Sequence, residues 1–220
     1  MHLRSERTVT PAGVLDGVVS IDGAVISDVA PAVRAGVPAL DLRARWLLPG
    51  FIDVHVHGGG GAQCNTTASE EIRTVARFHA THGTTALLAT TVAASPSALE
   101  SALEAIAGAV APREDGAAAV LGSHLEGPFL SPRRPGAMDP TLFLEPDAAV
   151  ARRLLGAGRG TVRMVTLAPE LPGGVELIRF LAGEGVVVSI GHSDASYGRG
   201  DRGRAVGDAC VQRDASSGSP

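Results

Sequence analysis

The distribution of apolar and polar positions divides the chain into three parts. Residues 1–48 contain short apolar runs separated by turn residues, among them the pair Asp22-Gly23, which is typical of a two-residue β-hairpin. Over residues 49–197, apolar runs alternate with alanine-rich segments of helical period. Residues 198–220 have no apolar period. The pattern therefore predicts a small β module, an α/β domain and a disordered tail.

Strands and helices alternate in the predicted α/β domain. The five predicted strands are residues 51–57, 84–91, 118–125, 161–167 and 186–192. The four predicted helices are residues 69–82, 97–110, 146–155 and 175–185, and Ser95-Pro96 and Glu145-Pro146 mark two helix starts. Continuous apolar strands are typical of a parallel sheet covered on both faces. A (β/α)8 barrel needs eight strands and about 250 residues, so we expect a partial TIM barrel of about five βα units.

Composition excludes several classes of protein. The 220 residues are 45% hydrophobic, which is enough for a substantial core, and the net charge of −4 leaves no basic surface for nucleic acid. The cysteines, Cys64 and Cys210, are too few for a disulfide framework. The N-terminus lacks the apolar core of a signal peptide, and no segment approaches the roughly 18 consecutive apolar residues of a membrane span. We expect a soluble, cytoplasmic protein.

A pair of histidines ends the first predicted barrel strand. His55 and His57 are two residues apart, so both rings lie on the same face of a strand. Four glycines, residues 58–61, follow them, and Asp53 on the same face is placed to orient a ring. This spacing is typical of the start of a divalent metal site. The alternative is that the two histidines only end a strand.

Two further strand ends carry possible ligands. His124 and Glu126 end the third predicted strand, and His192 ends the fifth. Barrel enzymes place their chemistry at the carboxyl ends of the strands. Imidazole and carboxylate are ligands for zinc, iron, manganese or cobalt, and an open coordination position would let such an ion activate water. The three strand ends together predict a hydrolytic metal centre with one or two ions.

Four segments resemble a known family. They are Pro-Gly-Phe-Ile-Asp-Val-His-Val-His-Gly at residues 49–58, His-Leu-Glu-Gly-Pro-Phe-Leu at 124–130, Thr-Leu-Ala-Pro-Glu at 166–170 and Gly-His-Ser-Asp-Ala at 191–195. With these segments, the chain is similar to the N-acetylglucosamine-6-phosphate deacetylases of the amidohydrolase superfamily. The first segment is shared by many amidohydrolases, whereas the second is specific to this branch.

The resemblance implies an activity and a set of site residues. The activity is the hydrolysis of N-acetylglucosamine 6-phosphate to glucosamine 6-phosphate and acetate, as in amino-sugar catabolism and cell-wall recycling. It implies that Glu126 and His192 bind the main metal ion and that His55 and His57 are ligands of a second ion or supporting ligands. The residues assigned to substrate binding are His124, Gly136, Ala137 and Met138, and the alternative for His124 is that it supports a metal ligand. The resemblance also implies a homodimer and a small β-sandwich that includes the N-terminal strands.

The chain departs from the family in two places. Met138 stands where members of the family usually have a histidine, and a thioether cannot bind phosphate as a cation. After Tyr197 neither the next motif, Thr-His-x-Phe-Asn-Ala-Met, nor the catalytic aspartate is present, so no catalytic residue is assigned. With codons chosen within the degeneracy of the code, residues 198–220 can be back-translated so that a reading frame one base later encodes that motif, and we hypothesise a one-base insertion just after the codon for Tyr197. The alternatives are another amidohydrolase, dihydroorotase-like or deaminase-like, and a non-catalytic fragment.

Overall fold

The computed structural model describes most of the chain. The described stretches are residues 1–31, 38–110, 114–196 and 210–211. They form two compact units, Met1–Gly50 and Phe51–Pro220. Each unit is described by itself below.

The first unit is a five-stranded sheet. Its strands are β1 (His2–Thr10), β2 (Gly13–Asp22), β3 (Val25–Ala30), β4 (Leu40–Asp41) and β5 (Trp46–Leu47). β2 pairs antiparallel with β1 and β3, whereas β4 and β5 pair parallel with β1. Asp22 pairs with Val25 across the β2–β3 turn, and Gly23 has a φ of +57°. The predicted hairpin is therefore confirmed, but its two-residue turn is Gly23-Ala24, one residue later than predicted, because Asp22 still pairs within β2.

The second unit is built on a parallel sheet. Its strands are β6 (Phe51–Val56), β7 (Gly58–Gly59), β8 (Ala62–Gln63), β9 (Thr84–Thr91), β10 (Ala119–Glu126), β11 (Val162–Leu167), β12 (Val187–Ile190) and β13 (Cys210–Val211). β6, β9, β10, β11, β12 and β13 pair parallel in that order, while β7 and β8 form a separate small hairpin. The carboxyl ends of the parallel strands therefore lie along one rim.

Four helices connect the strands of this sheet. They are α1 (Ser69–Ala80), α2 (Pro96–Ala109), α3 (Ala148–Ala157) and α4 (Gly174–Gly183). The helices follow the β7–β8 hairpin, β9, β10 and β11 respectively. This alternation confirms the prediction of a partial (β/α)8 barrel.

Polar side chains set the starts of two helices. The Ser95 hydroxyl accepts a hydrogen bond from the Ala98 amide, and Pro96 is the first residue of α2, as predicted. The predicted start of α3 at Pro146 is wrong by two residues. The Asp147 carboxylate accepts from the amides of residues 149 and 150, so the helix begins after this cap.

The apolar interior of the second unit consists of two clusters. The first packs α3, α4 and the start of α2 against β10, β11 and β12, and includes Leu99, Leu125, Phe129, Leu154, Leu167, Leu181 and Val188. The second packs α1 and the end of α2 against β6, β9 and β10, and includes Val56, Cys64, Ile72, Leu87, Ile106 and Val120. The two clusters support neighbouring parts of the same sheet.

Two short elements differ from the sequence prediction. The glycine run forms the β7–β8 hairpin, because Gly60 and Gly61, at φ +62° and +83°, supply the positive dihedrals of its two-residue turn. In the tail expected to lack regular structure, β13 pairs with β12. The rest of residues 198–220, and with it the shifted-frame hypothesis, lies outside the described residues. Within the described stretches, no helix is long and apolar enough to cross a membrane.

Candidate metal centre

Three strands bring the four predicted ligands together at the rim of the sheet. His55 lies near the end of β6 and His57 directly follows it, Glu126 is the last residue of β10, and His192 is two residues beyond β12. Because these strands are parallel in one sheet that curls as a partial barrel, their carboxyl ends present side chains to one region. The sequence prediction that these side chains converge agrees with the coordinates.

The Glu126 carboxylate lies at the centre of the group and is only 3% exposed. Its Oε2 is 3.3 Å from His55 Nε2 and 3.1 Å from His57 Nε2. Its Oε1 is 3.2 Å from His192 Nε2. The two Nε2 atoms of His55 and His57 are 3.0 Å apart. Three imidazole nitrogens thus point at one buried carboxylate.

Backbone carbonyls fix two of the histidine tautomers. His57 Nδ1 is 3.1 Å from the carbonyl oxygen of Thr90, and His192 Nδ1 is 2.9 Å from that of Arg134. A carbonyl oxygen only accepts, so each Nδ1 donates its proton to it and the Nε2 of the neutral ring carries a lone pair. These lone pairs face the Glu126 carboxylate, an arrangement that is repulsive unless a proton or a metal ion lies between them.

The charge of Glu126 is stabilised by its neighbours. Burial by itself raises the pKa of this carboxyl. When protons lie between the Nε2 atoms and the carboxylate, the side-chain hydrogen bonds from His192, His55 and His57 outweigh burial, so the pKa of Glu126 lies well below its usual range. Glu126 is therefore anionic at neutral pH and is available as a ligand.

The donor set fits a divalent metal ion. His55, His57 and Glu126 each offer a ligand atom, and these atoms all lie within 4.8 Å of one another. Tetrahedral sites with bonds of about 2.0–2.2 Å place neighbouring donors about 3.3–3.6 Å apart, and Glu126 Oε2 lies at a similar 3.3 and 3.1 Å from the Nε2 atoms of His55 and His57. His192 is not a member of this three-residue group and faces the other carboxylate oxygen. Imidazole and carboxylate donors suit zinc and similar ions.

His124 lies beneath the metal ligands rather than in the cavity. Its ring is 1% exposed, with Nδ1 donating to the Val54 carbonyl at 2.8 Å and Nε2 accepting from the Thr166 hydroxyl at 2.7 Å. Its ring centroid is 4.9 Å from that of His55. Burial lowers the pKa of His124 to about 4, so the ring is neutral. This placement differs from the expected contact with substrate, because both ring nitrogens are already engaged inside the protein.

A cavity of about 390 Å³ opens above the ligands. It is lined by His55, His57, Val92, Ala93, Glu126, Ala137, Met138, Asp139 and His192. Ala137 and Met138 line this cavity, and their contact with a substrate stays a prediction. Gly136 is not in the lining, but it packs against His192, because a β-carbon at Gly136 would lie 3.0 Å from His192 Cε1. Its φ of +58° also favours glycine.

Sequence reasoning missed several residues that support the site. The Thr90 and Arg134 carbonyls orient His57 and His192, but they are backbone atoms and leave no side-chain signal. Asn65 donates to and accepts from the backbone of Val92 at the cavity wall. Asp53, expected to orient a histidine ring, instead accepts a hydrogen bond from the backbone amide of His55 at 3.0 Å.

Comparison with known proteins assigns the family. The model of the amidohydrolase family matches residues 46–197, which include all four candidate ligands. The chain belongs to the amidohydrolase family. Metal dependence is general in this family, which agrees with the donor set described above.

Individual relatives are more specific. This amidohydrolase chain is 36% identical over 173 residues to an N-acetylglucosamine-6-phosphate deacetylase of Lysinibacillus sphaericus, covering 78% of this chain and 44% of the relative. It is 38% identical over 196 residues to an N-acetylgalactosamine-6-phosphate deacetylase of Escherichia coli O157:H7, covering 89% and 51%. The chain thus spans about half the length of the curated relatives it matches.

Solved structures show the same fold. An N-acetyl-D-glucosamine-6-phosphate deacetylase from Mycobacterium smegmatis superposes with a TM-score of 0.88 at 34% identity, covering 96% of this chain and 55% of that protein. A mutant of that protein, with an aspartate replaced by alanine, was solved in complex with N-acetyl-D-glucosamine-6-phosphate and gives a TM-score of 0.87 at 34% identity, covering 96% of this chain and 54% of the mutant.

Proposed function

We propose that this chain carries the metal centre of a deacetylase that hydrolyses N-acetylglucosamine 6-phosphate to glucosamine 6-phosphate and acetate. The main support is the convergence of three imidazoles on the buried Glu126 carboxylate, at the rim of a barrel sheet that resembles solved deacetylases. A divalent ion at this place would polarise the acetyl carbonyl and lower the pKa of a bound water.

The residues of the chain itself prepare the site for this reaction. The Thr90 and Arg134 carbonyls hold the lone pairs of His57 and His192 toward Glu126 without further reorganisation. The apolar side chains of Val92, Ala93 and Met138 line the cavity, where they would contact the acetyl methyl group and the sugar ring. We propose that Met138 contacts the substrate through packing, since a thioether cannot supply a positive charge to a phosphate.

A second candidate substrate is N-acetylgalactosamine 6-phosphate, which differs from N-acetylglucosamine 6-phosphate in the configuration of one carbon. The E. coli relative is named for N-acetylgalactosamine 6-phosphate and aligns over 196 residues of the chain. Among the described residues, the charged or ionisable groups that line the cavity are the candidate ligands and Asp139, and nothing about this set favours one epimer over the other. The two sugar phosphates are therefore tested side by side. We also propose that the working enzyme is a cytoplasmic homodimer with one or two ions of zinc, iron, manganese or cobalt per site.

The experiment measures metal content and acetate release of the full chain. Purified protein is stripped with a chelator, reloaded separately with Zn²⁺, Fe²⁺, Mn²⁺ or Co²⁺, and supplied with either sugar phosphate. Cyclic amides and aminopurines serve as substrates of other amidohydrolases. Glu126→Gln keeps the shape of the side chain and removes its charge, and Glu176→Gln makes the same change on the exposed face of α4.

The outcomes separate the alternatives. Acetate release that needs the metal, is lost in Glu126→Gln and persists in Glu176→Gln supports the proposed function, and the preferred epimer names the substrate. Turnover of a cyclic amide or a purine instead supports a different amidohydrolase. Metal binding with no turnover of any substrate contradicts the proposal and identifies the chain as a non-catalytic metal-binding protein. Light scattering during size-exclusion chromatography tests the homodimer.

A further inference from the structure

His192 has a backbone conformation that residues with a β-carbon rarely adopt. Its φ is +48°, in the left-handed region. Such a conformation persists only where the surrounding structure holds it, and such sites cluster where function requires a particular geometry. Glycine would relieve the strain but has no imidazole. The position of His192 Nε2 therefore depends on groups that hold the turn in which it lies.

The residues after His192 are held by Glu170, in the loop that follows β11. The Ser193 hydroxyl donates to Glu170 Oε2 at 2.6 Å, and the Asp194 amide donates to Glu170 Oε1 at 2.7 Å. The Ser193 hydroxyl oxygen also accepts from the Ala195 amide at 3.0 Å. Hydrogen bonds to a carboxylate are short and strong. Both oxygens of one side chain thus hold the turn directly after the candidate ligand.

The loop after β10 holds the other side of His192. The Ser131 amide donates to the His192 carbonyl at 2.9 Å, and His192 Nδ1 donates to the Arg134 carbonyl at 2.9 Å. The Arg134 guanidinium is 2.7 Å from the Asp194 carboxylate. Asp194 is therefore fixed twice, through its amide by Glu170 and through its side chain by Arg134. Loops from three strands meet at this one turn.

We propose that Glu170 is a positioning residue that directs His192 Nε2 toward Glu126 and so raises the affinity of the site for its metal ion. Glu170 is absent from the cavity lining, so it acts through the backbone of the turn and not by contact with an ion or substrate. The inference rests on the proposed function only in that His192 is taken as a metal ligand. Partners that orient a ligand in this way typically change metal affinity by 10- to 100-fold when removed.

The test uses the full chain without metal and four variants. Glu170→Ala removes both acceptors, whereas Glu170→Gln keeps the geometry, because its amide oxygen accepts from the Asp194 amide and its amide nitrogen donates to the Ser193 hydroxyl oxygen. Ser193→Ala removes one of the two bonds. Glu176→Ala, on the exposed face of α4, is the matched control. Affinities for Zn²⁺ and Co²⁺ are measured by competition with a chromophoric chelator, and the visible spectrum of bound Co²⁺ reports the ligand geometry.

We expect Glu170→Ala to weaken both affinities by about 10- to 100-fold and to alter the Co²⁺ spectrum. Glu170→Gln should restore affinity and spectrum close to those of the wild type, Ser193→Ala should give a smaller loss, and Glu176→Ala should give none. If Glu170→Gln recovers the metal affinity, Glu170 acts by positioning the turn, and its negative charge is not needed. If Glu170→Ala does not fold, the metal affinities of Glu170→Gln and Ser193→Ala test the role of Glu170.

Several results would overturn the inference. The first is a folded Glu170→Ala protein with the metal affinity and Co²⁺ spectrum of the wild type, and the second is a Glu170→Gln protein that binds metal as weakly as Glu170→Ala. If Glu170→Ala is unfolded, wild-type metal affinity in Ser193→Ala has the same meaning. The last is a wild-type chain that binds neither Zn²⁺ nor Co²⁺. Failure of the proposed function looks different. A wild-type chain that binds Co²⁺ and releases no acetate contradicts the deacetylase proposal and leaves the role of Glu170 intact.

Discussion

The buried ring of His124 makes the stability of the metal-free protein sensitive to acid. The ring is 1% exposed, and burial lowers its pKa from 6.5 to about 4, although the hydrogen bond to the Val54 carbonyl acts in the opposite direction. The unfolded chain therefore binds a proton at this ring at a higher pH than the folded chain does. In the folded protein, a proton on Nε2 would face the Thr166 hydroxyl, which now donates to that atom.

The sign and the size of the effect follow from this difference. Between pH 6.5 and pH 4 the unfolded state binds more protons at His124 than the folded state, so the free energy of unfolding falls as the pH falls through this window. At about 1.4 kcal/mol per pKa unit the total loss is about 3 kcal/mol. About 2 kcal/mol of it falls between pH 7 and pH 5.

Urea unfolding of the metal-free chain at pH 7, 6 and 5 measures this loss. His124→Gln removes the titrating group, and its amide oxygen can accept from the Thr166 hydroxyl. His82→Gln makes the same substitution at an exposed ring and serves as the control. We expect the wild type to lose about 2 kcal/mol more than His124→Gln between pH 7 and pH 5. If the free energy of unfolding falls equally in wild type and His124→Gln between pH 7 and pH 5, the loss does not come from His124 and the prediction is wrong.

Three further predictions concern the interior of the second unit. Thr166→Val leaves the buried Nε2 of His124 without its donor, so the free energy of unfolding in urea should fall by about 1–3 kcal/mol; an equal loss in Thr67→Val, the same change at an exposed residue before α1, would contradict this. Leu154→Ala creates a cavity beneath α3 and should lower the free energy of unfolding by about 2–5 kcal/mol, whereas a change within error would show that the core collapses around it. The Cys64 thiol is fully buried, and burial raises its pKa to about 11, so iodoacetamide at pH 8 should label Cys64 much more slowly in the folded chain than in urea, as read by peptide mass spectrometry; equal rates would contradict the placement of the thiol.

The barrel strands were predictable because their apolar runs have no competing interpretation. The strand at residues 84–91 agrees at both ends with β9, and the strand at 161–167 begins one residue before β11. Helix starts were less certain, because the choice between neighbouring polar residues depends on geometry. Ser95 caps α2 as its sequence suggests, but for α3 the Asp147 carboxylate prevails over Glu145-Pro146.

The candidate ligands were predictable for a different reason. His55, Glu126 and His192 occupy strand ends, and parallel topology alone brings strand ends together. The orientation of the rings was not predictable, since it depends on main-chain carbonyls such as that of Thr90, which any residue type would offer. The role of Asp53 was not predictable either. Its carboxylate accepts from the backbone amide of His55, two residues later in the same strand, and this local hydrogen bond competes with the predicted contact to a histidine ring.

The division of the apolar interior into two clusters affects how the second unit opens. Val56, the last residue of β6 and the one between His55 and His57, belongs to the cluster around α1, whereas Leu125, next to Glu126, belongs to the cluster around α3 and α4. Proteins open in cooperative units that follow such clusters. An ion shared by His57 and Glu126 would act as a cross-link between two such units. Amide hydrogen exchange in β6 and in β12 should then slow together on addition of metal, although the two strands are far apart in the sheet.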